Sequence, residues 1–215
     1  MSVVRRFNVY LLVSAVCMLL MSCGQGGGDS SSPAATVQTI KWQADGNGFV
    51  QFLTNDAQYY QYGFWYMPSK SYETQMTTVS ATVKKESGSL YSGYGIVFCY
   101  QDTNNFYRLV IDAAGHYVVH AKVAGTLTSI IPWSPTYTAQ INSGLGAANV
   151  ISVVQQSPGN FSVLFNGTQE TTFSDSNFTG GWAGFYASIA YQAHESFPNT
   201  PEDIRFELNS PIVYP

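Results

Sequence analysis

The sequence of 215 residues contains little charge, and the charge it has is not clustered. Charged residues make up 10% of the chain, with nine Lys and Arg against 13 Asp and Glu. The nine basic residues form no run or stripe. A nucleic-acid partner requires grouped positive charge to neutralise phosphates. We therefore expect no nucleic-acid partner.

Cysteine is also scarce, with only Cys17, Cys23 and Cys99 in the chain. Cys17 and Cys23 lie close together near the N-terminus, so Cys99 is alone in the rest of the sequence. Its neighbours in the segment IVFCY are apolar or aromatic. This setting is typical of a buried free thiol. We predict that Cys99 is neither a disulfide partner, a metal ligand nor a nucleophile.

The N-terminus has the parts of a secretory signal. Arg5 and Arg6 precede residues 11–21, an apolar stretch broken only by Ser14. A spanning helix needs roughly 20 apolar residues, so this stretch is too short to be one. The following Leu-Met-Ser-Cys, which ends at Cys23, resembles the bacterial lipobox. The resemblance implies diacylglyceryl attachment to the Cys23 sulfur, cleavage before Cys23 and acylation, as with palmitate, of the new amino group. The alternative is ordinary secretion with an incidental cysteine.

A Gly- and Ser-rich segment, residues 24–36, follows the lipobox and is typical of a flexible tether. We divide the chain into a signal peptide (1–22), a lipidated cysteine with linker (23–40) and one domain (41–215). Without Arg5 and Arg6, seven basic residues face 13 acidic ones, a net charge near −6. By analogy with lipoprotein sorting in enteric bacteria, Gly24 favours the outer membrane. The predicted location is the cell envelope, with the membrane a partner through the lipid.

The domain lacks any convincing amphipathic helix, and Tyr, Phe, Thr, Ser and Gly are abundant. Strand-like runs instead alternate with turn residues, which indicates an all-β sandwich or barrel. We predict nine strands, over residues 76–84, 94–100, 106–111, 116–123, 150–155, 161–165, 170–173, 182–190 and 204–208.

The predicted strands over residues 106–111 and 116–123 form a hairpin with a defined register. If their apolar faces coincide, Leu109 lies opposite Val119, which leaves a loop of three residues, 113–115. Gly115 then occupies the left-handed position that such a loop requires. This register places Arg108 opposite His120, with Lys122 nearby, on the less apolar face of the sheet. That face is either a ligand site or simply solvated.

Residues 94–119, YGIVFCYQDTNNFYRLVIDAAGHYVV, resemble bacterial members of the concanavalin A-like lectin/glucanase superfamily, which includes laminin-G-like domains. Further similar segments follow in the same order at residues 148–153, 164–167, 173–175, 180–185 and 203–206. The resemblance covers roughly residues 70–210. It implies an antiparallel jelly-roll sandwich of two curved sheets, with any ligand on the concave face or its rim loops.

Catalytic patterns are missing. Glycosidases of this superfamily carry Glu-x-Asp-x-Glu on one strand, and this sequence has no such motif. It has no Gly-x-Ser-x-Gly elbow either. His116 and His120 would lie about 13 Å apart along a strand, too far to share one zinc ion. Around Asp102, an Asx-turn is favoured over a calcium site. We expect no catalytic residues, metal or cofactor, although an enzyme is not excluded.

The sequence favours a non-catalytic cell-envelope lipoprotein whose sandwich binds glycan or an envelope partner. The alternatives are a structural or protein-interaction subunit of a surface assembly, and a divergent glycoside hydrolase. Trp65 and Tyr137 are further aromatic side chains that could stack on a sugar. The candidate ligand-binding residues are Arg108, His120, Lys122, Tyr100 and Trp133.

Overall fold

A computed structural model describes residues 40–44, 49–54, 63–66, 78–133, 137–188 and 202–208. Cys23, the signal segment and the tether lie outside the described residues, so the predictions made for them stay predictions. In the described part of the chain, no helix has the length and apolar character needed to cross a membrane.

The described residues form thirteen strands in two antiparallel sheets. The strands are β1 (Ile40–Ala44), β2 (Phe49–Thr54), β3 (Gly63–Tyr66), β4 (Thr78–Ser87), β5 (Tyr94–Asp102), β6 (Asn105–Ile111), β7 (Tyr117–Val123), β8 (Thr126–Ile131), β9 (Ala148–Ser157), β10 (Asn160–Phe165), β11 (Thr168–Ser174), β12 (Trp182–Ser188) and β13 (Glu202–Leu208). The seven-stranded sheet has the order β1-β2-β13-β4-β9-β10-β11, and the six-stranded sheet has the order β3-β12-β5-β6-β7-β8. The predicted all-β, antiparallel jelly-roll sandwich is confirmed.

The core lies between the two sheets, because alternate side chains of each strand point to opposite faces. In β4, for example, buried residues alternate with half-buried ones from Thr78 to Glu86. Aromatic rings from both sheets meet in this core: Phe98 of β5 and Phe161 of β10 have ring centroids 5.9 Å apart. Phe185 of β12 stacks on Phe206 of β13 at 4.9 Å. These contacts fix how the two sheets face one another.

All nine predicted strands are present, with small differences at their ends, and the structure adds four more. The prediction missed β1, β2, β3 and β8. Ile40, which the sequence analysis assigned to the linker, is the first residue of β1. The predicted starts at residues 76 and 77 and the end at 189 and 190 lie outside the described residues.

The hairpin of β6 and β7 has the predicted register. Leu109 pairs with Val119 and Arg108 pairs with His120. Asp112 N donates to the His116 carbonyl at 3.0 Å, which closes the three-residue loop. Gly115 has a φ of +99°, the left-handed conformation that was expected of it. The alternation of apolar residues and the position of one glycine were therefore sufficient to predict this register.

An irregularity at Cys99 changes which face the end of β5 presents. Tyr94, Ile96 and Phe98 all contact the core between the sheets. Cys99 has a φ of +48° and also contacts this core, and the pairing with β12 shifts here. Because the bulge adds a residue, Tyr100 lies on the opposite face from Phe98. Cys99 is a free, fully buried cysteine, as predicted, and burial raises the pKa of its thiol to about 12.

Candidate functional site

The six-stranded sheet has a second apolar cluster on the face that points away from the core, which we call the outer face. On β6, Phe106 and Val110 belong to this cluster, whereas Tyr107 and Leu109 contact the core. Each of its members is at most 4% exposed. The members are Val97, Phe106, Val110, Val118 and Tyr186, with Tyr100 packed against them.

Arg108 lies at the centre of the outer face, on β6. Its Nε donates to Nδ1 of His120 on β7 at 3.2 Å. Its guanidinium carbon lies 4.4 Å from the centre of the Tyr186 ring on β12, a cation–π contact. Both Arg108 and His120 are half-buried. Side chains from β7 and from β12, the strand beyond β5, thus hold the guanidinium of Arg108 in a defined orientation.

Burial determines the charges at this position. Desolvation first, and then the positive charge of Arg108, lower the pKa of His120 to about 4. Desolvation also lowers the pKa of Arg108. At neutral pH His120 is therefore uncharged and Arg108 is the cation of the pair. Within the described residues, no carboxylate forms an ion pair with Arg108. The other guanidinium N–H groups can therefore donate hydrogen bonds to a ligand oxygen without competition from a described carboxylate.

Aromatic rings continue the outer face from this cation towards the end of β5. Tyr100 stacks on Phe106 at 5.9 Å and on Trp182 at 6.2 Å, with interplanar angles of 25° and 23°. Tyr100 belongs to this row only because of the bulge at Cys99. The row offers flat apolar surfaces beside a hydrogen-bond donor, a combination that suits a ligand with both apolar and hydroxyl faces.

A groove lies at the end of this aromatic row. Its lining residues are Tyr100, Gln101, Asn177, Phe178, Thr179, Gly180, Gly181 and Trp182. Gly181 has a φ of +137°, and a Cβ there would lie 2.7 Å from the Tyr100 carbonyl oxygen. Only glycine allows the backbone at residue 181 to approach the backbone of Tyr100 this closely.

One buried tyrosine holds the far wall of the groove. The Tyr107 hydroxyl donates to the Asp175 carboxylate and accepts from Phe178 N at 3.0 Å. Asp175 also accepts from the backbone N–H and the side-chain amide of Asn177. Asp175 directly follows the last residue of β11. Its partner Tyr107 is distant in sequence, so no local pattern could have shown the link.

Lys122 lies near the outer face and contacts the turn between β5 and β6. Its Nζ donates to the Thr103 carbonyl at 2.8 Å and lies 5.7 Å from the Phe106 ring centre. In that turn Asp102 accepts from Asn104 N at 2.7 Å, so the favoured Asx-turn is present. In the described residues no group of three His, Cys, Asp or Glu is arranged to hold a metal ion.

Trp133 is not with the other candidates. Arg108, His120, Lys122 and Tyr100 share the outer face, but the Trp133 ring lies 6.3 Å from His116, beyond the β6–β7 turn. Tyr137, the other exposed aromatic candidate, lies beside it, 4.7 Å from the same histidine. The side chain of Trp65 is outside the description, although its backbone pairs with Tyr186. Four of the five candidates thus share one face of the sheet, while their role as ligand contacts stays a prediction.

Several of the described carboxylates have polar partners within the structure. Asp112 accepts from His116, and Glu170 accepts from the Thr138 hydroxyl at 2.7 Å. Glu86 pairs with Lys84 at 2.9 Å and with Arg205 at 3.5 Å. Asp203 accepts from the side-chain amide of Gln51 at 2.8 Å. These contacts explain why the residues are present without any reference to chemistry on a substrate.

Comparison with solved structures gives the same kind of fold. The chain is similar to a carbohydrate binding module, CBM66, from Bacillus subtilis, with a TM-score of 0.50 and 12% identity over 79% of this chain and 89% of that one. It is also similar to a sheep galectin-11 (TM-score 0.42, 12% identity, 62% and 95% covered) and a GH43 protein from Bacillus licheniformis (0.48, 12%, 78% and 33%). Neither the protein-family models nor the curated proteins searched give a match. At 12% identity the likeness to the carbohydrate binding module shows the β-sandwich fold alone.

Proposed function

We propose that this protein is a non-catalytic cell-envelope lipoprotein whose sandwich binds glycan on the outer face of the six-stranded sheet. The supporting observation is the arrangement around Arg108. A half-buried guanidinium is oriented by His120 and Tyr186 and, within the described residues, has no carboxylate partner. Sugar hydroxyls accept from such donors, while the C–H face of a pyranose ring stacks on aromatic rings.

Two further observations support glycan over a protein partner. A flat aromatic face without charge would favour protein docking, whereas here Arg108 and His120 lie next to Tyr186. The row continues to Tyr100 and Trp182, which line a groove. One solved structure similar in fold is, by its name, a carbohydrate binding module. A structural role in a surface assembly, or a hydrolase with two carboxylates about 5–9 Å apart in one cleft, would need other residues.

The glycan proposal is tested by applying the full chain, solubilised in detergent, to an array of neutral and acidic glycans. We expect binding to a subset of the array, and Arg108→Gln should weaken it about tenfold or more, since a charge-assisted hydrogen bond contributes roughly 1.5–3 kcal/mol. Arg205→Gln is the matched control, because Arg205 is exposed on the other sheet, where it pairs with Glu86. Silence on the array, together with a stable protein partner recovered by pull-down, would exclude the glycan proposal.

The lipid anchor is tested by fractionation of cells that express Cys23→Ser. We expect the protein to leave the membrane fraction, because the two or three acyl chains of a lipoprotein provide nearly all of its membrane affinity, at roughly 0.8 kcal/mol for each buried CH₂. Cys17→Ser should remain in the membrane fraction, since residue 17 lies in the predicted signal segment. If Cys23→Ser still fractionates with membranes, Cys23 is not the anchor.

A further inference from the structure

A separate group of aromatic side chains lies past the β6–β7 turn, at the rim of the sandwich. We call it the rim cluster: His116, Tyr91, Trp133 and Tyr137. The ring centroid of His116 lies 4.7 Å from that of Tyr137, 6.3 Å from Trp133 and 6.4 Å from Tyr91. Tyr137 is 67% exposed and Trp133 is 41% exposed. Large rings that gather at the surface in this way are not explained by packing of the core.

Asp112 fixes the histidine at the centre of the rim cluster. It is completely buried and accepts from the backbone N–H of His116 at 2.9 Å. Its other oxygen lies 2.8 Å from Nδ1 of the same ring. Because Asp112 occupies Nδ1, the ring has one orientation and its Nε2 is left for another partner. Among the described residues, none has a hydrogen bond to Nε2 of His116.

The segments that carry Tyr91 and Tyr137 are tied to the same turn by backbone hydrogen bonds. Thr138 N donates to the Gly115 carbonyl at 3.0 Å, next to Tyr137. Ala113 N donates to the Leu90 carbonyl at 2.8 Å, next to Tyr91. His116, Tyr91 and Tyr137 are therefore held together before a ligand binds, although they come from loops. Preassembly lowers the entropic cost of binding a ligand.

The chemistry of the rim cluster selects a class of ligand. Exposed aromatic rings stack on the C–H face of a pyranose, and Nε2 of an oriented imidazole exchanges a hydrogen bond with a hydroxyl. The rim cluster, as defined by its four residues, contains no Lys or Arg that would pair with the carboxylate of an acidic sugar. The buried carboxylate beside it, Asp112, is already hydrogen-bonded to His116. We propose that the rim cluster is a second saccharide site, which takes a neutral pyranose unit.

This site is distinct from the outer-face site around Arg108. His116 immediately precedes β7 and His120 lies within it, four residues further on, which is about 13 Å by strand rise. One monosaccharide cannot reach both positions. The proposal shares the ligand class of the proposed function but none of its residues, so each can fail without the other.

The test is titration of the full chain in detergent with four neutral probes: cellohexaose, maltohexaose, laminarihexaose and xylohexaose. Calorimetry should detect binding of at least one, and Tyr137→Ala should weaken it at least tenfold. Tyr137→Phe should retain most of the affinity, because it keeps the ring. Leu127→Ala is the control, since Leu127 is a 44% exposed apolar side chain outside the rim cluster.

Tryptophan fluorescence locates the bound probe. The wild-type emission should change on binding, and Trp133→Phe should bind with similar affinity but lose most of that change. Arg205→Gln should leave the affinity for the neutral probe unchanged, because Arg205 is exposed on the seven-stranded sheet, where it pairs with Glu86. The rim proposal is overturned if none of the four probes binds, or if Tyr137→Ala binds as tightly as the wild type. Loss of binding in Arg108→Gln alone would assign the saccharide to the outer face and overturn the rim site only.

Discussion

Gly95→Ala is expected to lower the free energy of unfolding by about 3 kcal/mol or more, a large part of the stability of one domain. Gly95 lies on β5 and pairs with Val110 of β6 on one side and Tyr186 of β12 on the other. A Cβ at residue 95 would lie 2.0 Å from the Leu109 carbonyl oxygen and 3.0 Å from its carbon. These are backbone atoms of the next strand, so no change of rotamer can relieve the overlap. Urea denaturation followed by circular dichroism measures the loss.

Gly144→Ala provides the matched control for this prediction. A Cβ at residue 144 meets nothing within 4 Å, and its φ is +102°. Gly144→Ala should therefore lower the free energy of unfolding only through backbone strain, on the order of 1 kcal/mol. Equal denaturation midpoints for Gly95→Ala and Gly144→Ala would show that β5 and β6 can move apart at little cost. The same result would weaken the argument that the strands hold Arg108 in place.

Strands are predicted well from the sequence where one face of the strand contacts the core and the other faces solvent, or where a glycine marks the turn. The β6–β7 hairpin has both signals. β8 has neither, because it starts after a two-residue turn in which Ala124 and Gly125 have φ values of +49° and +84°. Alanine is not a residue that indicates such a turn. The first four residues of β8 are also all exposed, so no alternation of burial marks the strand.

The candidate site could be predicted in part for the same physical reasons. The pairing of Arg108 with His120 follows from register alone. The neighbours of Tyr100 depend on the bulge at Cys99, where a residue other than glycine adopts a positive φ. The contact between Tyr107 and Asp175 spans 68 positions in the sequence. Local patterns carry no information about contacts of that kind, so the groove could not be predicted.

Acid should destabilise the protein through His120. The pKa of this residue is about 4 in the folded state, against an ordinary value of 6.5, because burial and the nearby Arg108 charge oppose protonation. Between these two pH values the unfolded chain binds a proton that the folded chain excludes. The stability is therefore complete above pH 6.5 and falls as the pH drops towards 4. The expected loss from this group is about 2 kcal/mol, somewhat less than the pKa difference alone implies, since the side chain is only half-buried.

His120→Asn separates this effect from the other acid-sensitive groups. The asparagine side-chain oxygen can accept from Nε of Arg108 as Nδ1 does, but it does not titrate. His116 is present in both proteins, so its contribution cancels in the comparison. We expect the wild type to lose about 2 kcal/mol more than His120→Asn when the pH falls from 7 to 4, as measured by urea denaturation at each pH. Parallel stability curves would show that the folded protein takes up a proton on the imidazole of His120 near the ordinary pKa of that group. Arg108 would then have a second cation beside it, and the outer face would carry two charges instead of one.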